Sequence, residues 1–129
     1  YYSAAKGALE LLTEALAKEV EHLGIHTMLV EPGAMRIDFY NTSLLGTEIK
    51  IADYDVLADK YRKENCVNHQ DQPGDPKKGG EVIVETVLKG NLPFRLLLGS
   101  DAAHIAEKEL EKRLKEIKEW MAVSSKSDI

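Results

Sequence analysis

Cysteine is nearly absent: Cys66 stands alone in 129 residues. No intrachain disulfide can form, and a reducing compartment, the cytoplasm, is the expected location. No apolar run is long enough to span a bilayer, and no stretch reads as a signal peptide. Aromatic residues make up 6% of the chain and prolines number four. Positive charge is in deficit, with 17 Lys and Arg against 22 Asp and Glu for a net charge of -5. That balance leaves no basic patch to neutralise phosphates, which argues against nucleic-acid binding. His22, His26, His69 and His104 do not cluster with Cys66 or carboxylates, so no metal site is expected. What remains is ordinary for a globular domain: 43% hydrophobic and 30% charged residues, in a length that suggests one domain.

The chemistry that is present lies at the start. Tyr2-Ser-Ala-Ala-Lys6 opens a helical pattern, and a tyrosine and lysine four apart share one helix face. An ammonium in that position stabilises a phenolate by Coulomb attraction and draws a phenol down from ~10 toward neutrality. Such a phenol can give or take a proton at a carbonyl or alcohol oxygen. The same spacing also arises where a surface lysine merely neighbours a half-buried tyrosine, so its context has to decide.

That context is an alternation of helix and strand. Ala4, Ala8, Leu12, Leu16, Val20 and Leu23 recur at threes and fours, and Leu9, Leu11 and Ala15 widen the stripe. Gly24 stands where a helix C-cap belongs. Ile25 to Val30 reads as a buried strand ended by Pro32-Gly33. In open α/β sheets, ligands bind beyond the carboxyl ends of parallel strands, and the missing side chain at Gly33 would admit a ligand close to the backbone. Further on, Asp75 caps a helix with Pro76 in its first turn and Gly90 at its end, with Val82, Ile83, Thr86, Val87 and Leu88 toward the sheet. Phe94 to Leu98 makes a second buried strand, parallel to the first through a right-handed crossover.

With Arg36-Ile-Asp-Phe39, Gln72-Pro-Gly-Asp-Pro-Lys-Lys78 and Leu92-Pro-Phe-Arg-Leu-Leu-Leu-Gly-Ser-Asp101 added, about 100 residues resemble the short-chain dehydrogenases/reductases in order and spacing. The resemblance implies an α/β fold: the carboxy-terminal part of a Rossmann-type doubly wound parallel sheet, two strands with flanking helices, plus a charged carboxy-terminal helix. It implies an NAD(P)-dependent oxidoreductase interconverting a carbonyl and a secondary alcohol, with NAD or NADP as cofactor. Tyr2 would be the acid/base and Lys6 the residue that tunes it and holds the nicotinamide ribose. Pro32, Gly33 and the backbone at Ile37 would border the nicotinamide. The family often has threonine where Ile37 stands, and isoleucine lacks the hydroxyl that helps hold the cofactor. The family's earlier half is not in this sequence: neither the glycine-rich phosphate turn, nor the Asn-Ala-Gly stretch, nor the catalytic serine. The chain therefore reads as a fragment, inactive and marginally stable by itself.

On this reading residues 1–100 are the carboxy-terminal portion of an NAD(P)-binding domain, and within them 34–72 form a substrate loop or lid. A short helix over 52–64 would present Tyr54, Leu57 and Tyr61. Residues 101–123 form an amphipathic helix with Leu110, Leu114, Ile117 and Met121 on one stripe, packed by that edge and flanked by Glu109–Arg113 and Glu111–Lys115 pairs. Residues 124–129 form a disordered tail. The expected partners are a small-molecule carbonyl or alcohol substrate and further copies of the chain, as a dimer or tetramer in the full-length form, with neither nucleic acid nor membrane. The alternative is a truncated, non-catalytic remnant serving as a binding or dimerisation module.

Overall fold

The computed structural model describes residues 1–39, 51–56, 58 and 71–129. Helix α1 spans Tyr2–Val20, and a 3-10 turn, Glu21–Leu23, closes on Gly24 at φ 73°. Glycine reaches that left-handed conformation without the Cβ penalty, which is why the helix stops there. Strand β1 is Leu29–Pro32, α2 is Pro76–Lys89, β2 is Arg95–Leu98, and α3 is Ser100–Ser124 with a 3-10 turn, Ser125–Ser127, behind it. The architecture is α/β: a two-stranded parallel sheet with flanking helices, as the sequence predicts. Leu29 lies opposite Arg95 and Pro32 opposite Leu98.

Helix α2 forms for local reasons. The Asp75 carboxylate accepts from the N–H groups of Lys77 (2.9 Å) and Lys78 (3.4 Å), Pro76 occupies the first turn, and Gly90 ends the helix at φ 73°. Its inner face is narrower than expected: Gly79, Ile83 and Thr86 are half-buried, whereas Val82, Val87 and Leu88 are exposed. The first strand also differs from its expected range. Pairing begins at Leu29 and reaches Pro32, because only there does β1 run beside β2; residues 25–28 pair with nothing in the described chain.

The larger difference concerns α1. The predicted apolar stripe is exposed at Ala4, Ala8, Leu12 and Leu16 and half-buried only at Val20, and the rest of the half-buried face is Gly7, Glu10, Thr13, Glu14 and Ala17. Two of its residues, Glu10 and Glu14, are tied to the sheet by charge. Arg95 of β2 reaches Glu10 at 2.8 Å and Glu14 at 3.2 Å, and its Nε lies 3.6 Å from Glu31 of β1. Hydrogen bonds to Glu10 and then Glu14 strengthen the guanidinium's hold on its proton. Glu31 Oε1 is buried without a hydrogen-bond partner, so Arg95, too distant for such a bond, offsets its charge through space.

A self-sufficient domain gathers its apolar side chains into one contiguous cluster. Among the described residues only Leu98, at 6% exposure, is fully buried. Leu98 meets α2 at Gly79, where an added Cβ would lie 3.7 Å from Leu98 Cδ1 and 3.6 Å from Met35 Cε. A two-stranded sheet whose outer edges are unpaired among the described residues is marginal in water.

Candidate active site

The first turn of α1 places the candidate acid/base pair. Ala5 N–H donates to the Tyr1 carbonyl at 3.0 Å, so the helix is closed from its first residue. Tyr2 and Lys6 then stand one turn apart, with Lys6 Nζ 5.6 Å from the centre of the Tyr2 ring. The ammonium lies over the ring face, where the π-electrons attract it. Tyr2 is 67% exposed, and the amino end of a helix favours negative charge.

An open cleft of about 540 Å³ separates this turn from β1. Its walls include Tyr2, Lys6 and Gly7 from the helix, and Leu29, Glu31 and Pro32 from the strand. The cleft thus brings three of the predicted site residues together: Tyr2, Lys6 and Pro32. Gly33 and Ile37 do not line it. Ile37 is exposed, and its N–H already donates to the Met35 carbonyl at 3.0 Å.

Gly33 is needed for a reason other than the expected one. Its N–H donates to the Leu98 carbonyl at 2.8 Å, extending the β1–β2 ladder by one bond. A Cβ at Gly33 would lie 2.3 Å from Asp101 Oδ1 and 2.4 Å from Oδ2. The space expected to admit a ligand is filled by a carboxylate from the first turn of α3. That carboxylate accepts the Ala34 N–H at 2.8 Å. Gly99, at φ 105°, lets the chain turn tightly enough to deliver it, and a Cβ there would stand 2.5 Å from Oδ1.

The far side of the same loop is tied down as well. Gly74 N–H donates to the Ala34 carbonyl at 3.0 Å, Arg36 N–H donates to the Gly74 carbonyl at 2.9 Å, and Arg36 Nε donates to the Gln72 carbonyl at 2.5 Å. Residues 33–36 are therefore held between α3 and the segment entering α2, beside the carboxyl end of β1. Asp101 is the residue the sequence reading missed. Its only local signal is an acidic side chain just inside a helix that follows a glycine, a pattern that many helices share.

The Ala34 N–H first, with Ala102 and its own backbone N–H behind, holds the Asp101 carboxyl below its ordinary 3.8 despite some burial. Glu14 is held below its ordinary 4.5, first by Arg95 and then by Lys18. Carboxyls depressed by folding contribute stability that is complete above their unfolded values and disappears as pH falls through the lower folded ones. Thermal midpoints should therefore hold above about pH 5 and fall progressively below about pH 4. Asp101→Asn should flatten part of that fall; an unchanged slope would mean that the Asp101–Ala34 bond contributes nothing.

The fold and the cleft can be set beside known proteins. A crystal structure of a short-chain dehydrogenase from Streptomyces avermitilis matches 99% of this chain with a TM-score of 0.77 and 35% sequence identity, over 46% of its own length. The chain belongs to the short-chain dehydrogenases/reductases. It carries the carboxy-terminal part of the family's fold. Among relatives, 3-ketodihydrosphingosine reductase of Bacteroides thetaiotaomicron is 32% identical over 77% of this chain and 37% of its own. Oxidoreductase BOA17 of Botryotinia fuckeliana is 28% identical over 95% of this chain and 44% of its own. An uncharacterized oxidoreductase, YusZ of Bacillus subtilis, is 29% identical over 70% and 33%. The chain thus spans less than half the length of each of these proteins. No family model matches it. Among the described residues no helix is long and apolar enough to cross a membrane.

Proposed function

We propose that this chain carries the acid/base side of an NAD(P)-dependent oxidoreductase that interconverts a carbonyl and a secondary alcohol. The observation that carries the reading is the cleft in which Tyr2, Lys6 and Pro32 meet at the carboxyl end of β1. Strand ends of this kind are where open α/β sheets take their ligands.

The residues fit one end of a nicotinamide nucleotide. Lys6 offers N–H donors for the ribose hydroxyls, and Pro32 an apolar wall for the ring. Close approach at Gly33 itself is not part of that fit, since Asp101 occupies the space. The sequence holds no glycine-rich turn for the phosphates, so that part of the binding has to come from elsewhere. NAD and NADP serve the reading equally. When bound, the nucleotide supplies or accepts the hydride. Tyr2 donates its phenolic proton to the carbonyl oxygen, or takes the alcohol proton in the reverse direction, and Lys6 stabilises the phenolate left behind.

The substrate is a small carbonyl or alcohol compound, nucleic acid and membrane are not partners, and the enzyme works in the cytoplasm as a dimer or tetramer. The predicted substrate loop of residues 34–72 is part of the proposal. A 3-10 turn at Ala52–Tyr54 leads into helical residues 55, 56 and 58, while 40–50, 57 and 59–70, including the predicted Leu57 and Tyr61, lie outside the described residues. A second reading, a dimerising remnant without catalysis, is favoured by the exposed Leu9, Leu12 and Leu16 of α1.

Turnover separates the two. A protein extended upstream of Tyr1 along its own gene should oxidise NADH or NADPH in the presence of carbonyl compounds, and the 129-residue chain should not. Absence of turnover in both across a broad carbonyl panel would support the remnant.

A further inference from the structure

Helix α3 has an apolar stripe that the described chain leaves uncovered. From Glu107 onward every residue of α3 is exposed. Leu110, Leu114, Ile117 and Met121 are each between 51 and 62% exposed, so the edge expected to pack does not pack. Their 4-3-4 spacing is that of a coiled-coil seam, with Leu114 and Met121 at the a positions and Leu110 and Ile117 at d. The flanking e positions are then Glu111 and Lys118, and the g positions Arg113 and Trp120.

The predicted Glu109–Arg113 and Glu111–Lys115 pairs do not close. Lys115 instead pairs outward with Glu119 at 3.8 Å, and Glu111, Arg113 and Lys118 form no ion pair among the described residues. Three charges therefore border the seam free to meet another helix. Beside it runs an open groove of about 500 Å³ lined by Arg113, Glu116, Ile117, Trp120 and Ser124.

The signs of those charges choose the partner and its direction. Two parallel copies of α3 would bring Arg113 of one toward Lys118 of the other, a like-charge g–e contact. Two antiparallel copies, with Leu114 over Ile117 and Leu110 over Met121, bring Glu111 of each copy beside Lys118 of the other. The same register sets Arg113 of each against Trp120 of the other, a cation–π contact. We propose that the carboxy-terminal half of α3 pairs antiparallel with the same helix of a second copy of the chain. The seam covers about two heptads, so the dimer falls in the small-interface class, with dissociation in the micromolar range. It rests on α3 alone and is independent of the oxidoreductase reading.

Sedimentation and disulfide trapping test it. The chain should dimerise with rising concentration, and Leu114→Glu with Ile117→Glu should weaken the dimer by more than tenfold while helix content by circular dichroism is kept. Glu111→Lys should weaken it several-fold, and adding Lys118→Glu should restore it. In a Cys66→Ser background, a mixture of Leu110→Cys and Met121→Cys chains should form the mixed disulfide, and Met121→Cys chains alone should not. A monomer at all concentrations would overturn the proposal. So would a dimer indifferent to the glutamate pair, which would place the contact on another face such as α1. Ready disulfide formation by Met121→Cys alone would mean parallel helices. In the upstream-extended protein, a monomer destabilised by the glutamate pair would show that its own upstream part covers the stripe.

Discussion

Replacing Tyr2 by phenylalanine in the upstream-extended protein should lower kcat by about 10²- to 10⁴-fold, the usual contribution of a positioned general acid or base. The change removes one oxygen from an exposed side chain at the mouth of the cleft, so neither packing nor the 5.6 Å contact between the ring and Lys6 should suffer. Affinity for NADH or NADPH should stay within about threefold, well under the 1.4 kcal/mol that a tenfold change represents. The loss therefore belongs to kcat, not to cofactor binding, and steady-state kinetics beside a cofactor titration separates the two. A Tyr2→Phe enzyme with near-normal kcat would remove Tyr2 from the chemistry, even if the protein proved to be a reductase.

The second large effect is structural. Gly33→Ala should destabilise the chain by about 1–2 kcal/mol, the cost of displacing the Asp101 carboxylate from its bond to Ala34. The added carbon would stand 2.3 Å from a carboxylate oxygen that is itself bonded to Ala34. For a chain of this size that is a fall in Tm on the order of 5 °C. Gly33 is not among the glycines with positive φ, so alanine strains no backbone there and the cost is steric. It follows that Asp101→Ala, costing about 1 kcal/mol by itself for a charge-assisted bond at a half-buried site, should relieve most of the Gly33→Ala penalty. Gly99→Ala should find no such relief, because φ 105° disfavours any Cβ whatever surrounds it. Additive losses in the Gly33/Asp101 double-mutant cycle would contradict this account of the loop.

These two residues mark where sequence reading reached and where it stopped. Local devices were legible: Asp75, Pro76 and Gly90 bound α2 because caps act within one turn, and Gly24 ended the first helix for the same reason. The parallel pairing of the two strands followed from their apolar composition and from the helix between them. Long-range choices were not legible. Asp101 meets Ala34 across 67 positions, and nothing near either residue announces the other. On α1, periodicity found an apolar stripe but could not say which face meets the sheet. That choice lies with Arg95, 85 and 81 positions from Glu10 and Glu14. At the site, the Tyr2 and Lys6 pairing was readable from spacing alone. That Ile37 spends its N–H on Met35 was not, since that depends on how a loop held from both sides happens to turn.

The central claim is that Tyr2 and Lys6 face a nicotinamide nucleotide across the cleft to Pro32. Fluorescence titration with NADH and NADPH, on the 129-residue chain and on the upstream-extended protein, tests it most directly. The expected result is saturable binding to the extended protein, weakened at least tenfold by Lys6→Ala, and no measurable binding to the 129-residue chain. Saturable binding to the extended protein that is unchanged by Lys6→Ala, or no binding to it at all, would contradict the claim.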